Sequence, residues 1–185
     1  MSIEEILFEA EESMEKAVGF MTHEFSAIRT GKASPALVEN IDVEAYGSSM
    51  KLKQLALITS PEPRLLVIQP FDASTTRDIE RAINESRIGI TPAADGKVIR
   101  LPIPELSEER RRELVKRSKT EGENAKVGVR NHRKDAMDMI KDLKNDGLSE
   151  DMAKSAEEEV QQITNRFIKK IDDILEVKEK DIMTI

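Results

Sequence analysis

The sequence predicts an α+β fold: an elongated antiparallel three-helix bundle with a small inserted α/β domain, mostly β. Three observations predict it. Apolar residues recur at helical spacing in three long stretches, near residues 3–29, 107–145 and 149–183. Each stretch carries one apolar stripe, so the three can hide those stripes only against one another. Between the first and second stretches the period changes to alternation, and glycine and proline punctuate short strands. The expected boundaries are 1–30 with 106–185 for the bundle and 31–105 for the insert.

Taken in order, Ser2 and Glu5 form a capping-box pattern, and an apolar stripe from Ile3 through Ile28 carries the first helix to Arg29. Gly31 and Pro35 break it. Ile41, Val43 and Ala45 alternate with Asp42 and Glu44 as a half-buried strand, and Gly47-Ser48-Ser49 turns the chain. Leu55 to Thr59 and Leu65 to Ile68 are further strands, separated by a turn at Pro61-Glu62-Pro63. Thr75 and Asp78 fit a capping box for a short helix that runs to about Arg87 and is stopped by Gly89. Ala94 to Lys97 is a turn before a last strand, Val98 to Leu101, and Pro102-Ile103-Pro104 returns the chain to helix. The insert is thus joined twice, by a glycine that absorbs dihedral change and by prolines that stiffen. Such a double connection suits a hinge and equally a rigid two-lobed molecule.

Ser107 to about Asn145 reads as one helix of nearly 40 residues, roughly 55–60 Å long at 1.5 Å per residue. Ser107 caps it, Glu108 and Glu109 favour its positive end, and Asn145-Asp146-Gly147 stops it. Leu114, Ser118, Ala125, Val129, His132, Ala136, Ile140 and Leu143 share its core side. About a third of a turn away lie Arg112, Lys116, Lys119, Lys126, Arg130, Arg133, Lys134 and Lys141, with Glu123 the one acid among them. Glu113, Asp135, Asp138 and Asp142 collect on the third side. A solvated face is the bland reading of the cation line. The sharper one is a track for phosphates, with Arg130, Arg133 and Lys134 clustered at i, i+3 and i+4. Ser149 caps the last helix, whose stripe runs from Ala153 to Leu175 and whose pattern reaches nearly to Met183.

The 185 residues include no cysteine and no tryptophan, one tyrosine and a net charge of -7. Disulfide scaffolds and thiolate metal sites are excluded. The acidic N-terminus shows no signal-peptide pattern and no apolar run nears the ~20 residues of a membrane span, so a cytoplasmic protein is expected. The negative balance argues against a general nucleic-acid coat, but not against one local basic track. No catalytic constellation stands out. Gly89 to Gly96-Lys97 has the wrong spacing for a phosphate loop, and Val98 stands where such a loop needs a hydroxyl. His23 and His132 are far apart on different helices, which leaves zinc sites and triads little to draw on. No metal, no cofactor and no enzyme activity are expected.

Three motifs together resemble bacterial ribosome recycling factor: Arg29-Thr30-Gly31-Lys32-Ala33-Ser34-Pro35, Glu108-Glu109-Arg110-Arg111-Arg112, and Val129-Arg130-Asn131-His132-Arg133-Lys134-Asp135-Ala136. The resemblance covers the whole chain. It implies an L-shaped molecule of tRNA-like outline that binds the post-termination ribosome. There, with the GTPase elongation factor G, it splits the subunits; GTP is used by that partner. It implies that Arg130, Arg133 and the adjoining Lys134 contact large-subunit rRNA. One of Arg110, Arg111 and Arg112 joins them: the resemblance favours Arg111 and helical phase favours Arg112, with Lys126 on the same line. It implies a hinge at Arg29, Thr30, Gly31, Lys32, Pro102 and Pro104, no membrane partner, and action as a monomer. A coiled-coil scaffold or holdase that grips proteins is the other class of function, and it would need an exposed apolar groove along the bundle.

Overall fold

The computed structural model describes residues 1–28, 30–86 and 88–184. Arg29, expected at the hinge, and Arg87, expected at the end of the short helix, lie outside the described residues. The chain runs α1 (Ile3–Ser26), β1 (Asp42–Ala45), β2 (Ser48–Lys51), α2 (Leu52–Leu55), β3 (Ala56–Glu62), β4 (Leu65–Pro70), α3 (Thr76–Glu85), β5 (Ala93–Asp95), β6 (Val98–Pro102), α4 (Glu108–Asn145) and α5 (Glu150–Met183). It divides into two compact units, Met1–Ile28 with Arg112–Thr184, and Arg29–Arg111.

The first unit is the three-helix bundle. The capping box opens α1: Glu5 N–H donates to Ser2 Oγ at 3.2 Å, and Ser2 N–H donates to Glu5 Oε2 at 2.7 Å. Ile6, Ala10, Met14, Val18, Met21 and Phe25 form its buried face. The helix ends at Ser26 rather than Arg29, because the last turn tightens: Ala27 and Ile28 N–H donate three residues back. Ser107 caps α4, its Oγ accepting from Arg110 N–H at 3.1 Å. Leu114, Ser118, Ala125, Val129, Ala136 and Ile140 are buried on α4 as expected. Gly122 joins them, where its bare Cα admits α5; a Cβ there would stand 3.1 Å from Leu175 Cδ2. His132, expected in the stripe, keeps 38% of its side chain exposed.

The turn from α4 to α5 is a Schellman closure. Gly147, at φ 111, donates to Lys144 O at 3.1 Å and Leu148 N–H donates to Leu143 O at 3.0 Å. Ser149 Oγ then accepts from Met152 N–H at 3.3 Å and opens α5. So short a turn makes α4 and α5 antiparallel. Glu11 pairs with Arg166 and, four residues on in both helices, Glu15 pairs with Lys170 at 2.9 Å. That register makes α1 and α5 parallel.

The second unit holds a β1–β2 hairpin and a four-stranded antiparallel sheet of order β3-β4-β6-β5. Val43, Leu66, Ile68, Ile79, Ile99 and Leu101 centre its core. Several local expectations are corrected here. Ser48 and Ser49 are in a strand, because the loop is only Tyr46-Gly47, both at positive φ of 53 and 75. Ala93–Asp95 is likewise a strand, and Gly96-Lys97 alone make the turn. Leu52–Leu55 is a helical turn, so the next strand begins at Ala56 and runs through Pro61 to Glu62, with a register shift that accommodates the proline's missing donor. Thr75 does not cap α3; its hydroxyl donates to Asp72 O at 2.7 Å, while Asp72 Oδ1 accepts from Ser74 N–H at 2.9 Å. The helix stops at Glu85, before Gly89.

Candidate nucleic-acid interface

The candidate site is a face of one helix, built by the periodicity that buries the other face. Beside the apolar stripe of α4 the sequence places a line of cations, while acids take the side opposite. Their surroundings differ. Lys134 is exposed. Arg130, whose side chain is 53% exposed, donates from Nη1 to Glu123 Oε1 at 3.1 Å. Arg133 is half-buried, and its Nε is buried without a hydrogen-bond partner among the described residues. Arg112 is exposed and Arg111 is half-buried. Lys126 is the most enclosed: its side chain is 20% exposed, and its Nζ lies 2.5 Å from Asp172 Oδ1 on α5.

The two ion pairs are not equivalent. An open pair such as Arg130–Glu123 is worth about 0–1 kcal/mol, so an incoming phosphate can take the guanidinium over. Lys126–Asp172 ties two helices together on a half-buried stem and is engaged in holding the bundle. The sequence showed Glu123 within the cation line, but Asp172 comes from another helix and left no local signal. His132 Nδ1 stands 4.0 Å from Asp135 Oδ2, beyond hydrogen-bond reach. The imidazole lines a small recess with Ile6, Glu9 and Ser13 of α1.

Of the predicted hinge residues, Gly31 has φ 79, a conformation that a side chain would strain, and a Cβ there would lie 3.6 Å from Leu106. Thr30 is half-buried and Lys32 exposed. Pro102 ends β6 opposite Leu65, and Pro104 follows it, exposed. Among the described residues, no group of three or more histidine, aspartate or glutamate side chains could hold a metal ion. No described helix is long and apolar enough to cross a membrane.

Known proteins share this fold. The family model for ribosome recycling factor matches residues 21–183. The ribosome-recycling factor of Akkermansia muciniphila is 56% identical over 188 residues, covering 100% of both chains. That of Carboxydothermus hydrogenoformans is 50% identical over 184 residues, covering 99% of this chain and 100% of its own. A solution structure of the ribosome recycling factor superposes with a TM-score of 0.83 at 44% identity, covering 100% of this chain and 99% of that one. A second structure, with TM-score 0.70 and 40% identity over 100% of both chains, describes the T. thermophilus ribosome recycling factor and the E. coli elongation factor G bound to the E. coli post-termination complex. This chain belongs to the ribosome recycling factor family.

Proposed function

We propose that this protein recycles ribosomes: it binds the post-termination ribosome and, with elongation factor G and GTP, parts the subunits for reuse. The observation that carries the reading is full-length likeness to the family, at 56% identity to one member over 100% of the chain. The protein acts in the cytoplasm as a non-catalytic monomer with no cofactor of its own, and GTP hydrolysis belongs to elongation factor G. The holdase reading has no support in these relationships.

Within that reading, Arg130, Arg133 and Lys134 grip large-subunit rRNA, with Arg111 or Arg112 extending the contact and Lys126 joining it only by releasing Asp172. Their clustering on one side of α4 supports this, since each neutralised phosphate adds salt-dependent affinity. Residues 1–30 with 106–185 act as the gripping bundle and 31–105 as the insert. Arg29 to Lys32 and Pro102 to Pro104 serve as the hinge between them. The deciding experiment mixes post-termination ribosomes, elongation factor G and GTP with and without this protein and follows light scattering. Scattering should fall only when all components are present. A trace unchanged by the protein would overturn the reading.

A further inference from the structure

Near the start of α4, helical spacing puts Arg112, Val115, Lys116 and Lys119 on one face, at i, i+3, i+4 and i+7. Across from them α5 contributes Glu179 and Met183, one turn apart, and the two helices enclose a groove of about 470 Å³. That lies within the ~300–1,000 Å³ of ordinary ligand sites. Among the described residues that line it, three are cations and one is an acid, in a chain whose net charge is -7. Lys116 and Lys119 are exposed, and neither is in an ion pair among the described residues. Met183 is 49% exposed.

We propose that this groove takes one unpaired nucleotide of ribosomal RNA, its phosphate on Arg112, Lys116 and Lys119 and its base over Val115 and Met183. The proposal rests on the RNA-docking reading above and adds to the cation line's phosphate contacts a pocket for one base. The cationic rim selects a polyanion. The apolar floor argues against duplex RNA, whose bases are turned inward, because Val115 and Met183 would then face phosphates. An aliphatic floor accepts any base, and Glu179 can accept a hydrogen bond from an exocyclic amino group.

The test measures binding of the full chain to large ribosomal subunits against salt. The Lys116→Gln, Lys119→Gln double variant should bind more weakly, with a salt slope shallower by about 1.4, at ~0.7 per cation for single strands. Met183→Ser should weaken binding severalfold and leave the slope alone. In a second measurement, a uridine tetranucleotide titrated into the full chain should shift the Met183 methyl resonance and leave that of Met152, 54% exposed elsewhere on α5, in place. Wild-type affinity and slope in the double variant, or a silent Met183 methyl, would overturn the proposal. So would variants that keep subunit affinity but lose splitting with elongation factor G, since the occupant would then be a protein. Arg133→Ala serves as the control: if it weakens binding while the groove variants do not, this proposal alone fails, and if it binds normally the RNA-docking reading fails first.

Discussion

Arg130 and Arg133 stand three residues apart on α4 in unlike surroundings, one stretched across Glu123 and the other half-buried. The buried stem of Arg133 restricts its rotamers, which lowers the side-chain entropy that docking costs. Arg133→Ala should therefore reduce affinity for large subunits and lower the salt slope by about 0.7–0.9, measured by binding at several ionic strengths. Glu123→Gln removes a competitor for Arg130. It should raise the affinity, by no more than about fivefold, because an exposed pair is worth at most ~1 kcal/mol. A different residue-scale device sits in the second unit. Tyr46 Oη donates to Asp72 Oδ2 at 2.6 Å. That bond, with help from Ser74, holds the Asp72 carboxyl below the usual range, and the same bond raises the Tyr46 phenol. The Asp72 contribution to stability is thus present above the unfolded value of about 3.9 and disappears as pH falls through the folded one. The tyrosine's contribution is present below about 10 and is lost as pH rises through its raised value. In Tyr46→Phe the Asp72 titration, followed by NMR at its carboxyl carbon, should move upward.

At the scale of elements, the helices divide their glycines between two kinds of site. A Cβ added at Gly19 of α1 would meet nothing within 4 Å, so Gly19→Ala should stabilise by about 0.8–1.0 kcal/mol through helix propensity alone. At Gly122 a Cβ would meet Leu175 at 3.1 Å, and the larger Gly122→Val should destabilise by ~1–3 kcal/mol. Urea midpoints would measure both. The same contrast explains what could be read from the chain. The α4 stripe and both caps, Ser107 and Ser149, were legible because helix period and capping chemistry are local. Gly122 was not, since it is the size of Leu175 on another helix that makes it part of the core. The hairpin at Tyr46-Gly47 was misplaced for a related reason: tyrosine is an unusual residue for a loop position with φ 53, and its bond to Asp72 spans 26 residues. In the candidate interface helical spacing gives the order of the cations along α4, while the pairing of Lys126 with Asp172 depends on a neighbouring helix.

For the whole molecule, three apolar stripes and one break in period were enough to give a bundle and an insert, because long periodic helices leave few ways to bury their faces. The hinge is the whole-molecule proposal, and it concerns motion, which periodicity does not encode. Spin labels at the exposed positions Lys53 and Glu157 should give a broad distance distribution in solution. A single narrow distribution would favour a rigid body.

One further consequence follows from the parallel run of α1 and α5 with α4 opposed to both. The C-terminus of α1 and the start of α4 then lie at one end of the bundle, and both connections to the insert leave from there. The 38 residues of α4 contain no proline, so no missing N–H interrupts its hydrogen bonds between those ends and the Gly147 turn, about 55 Å away.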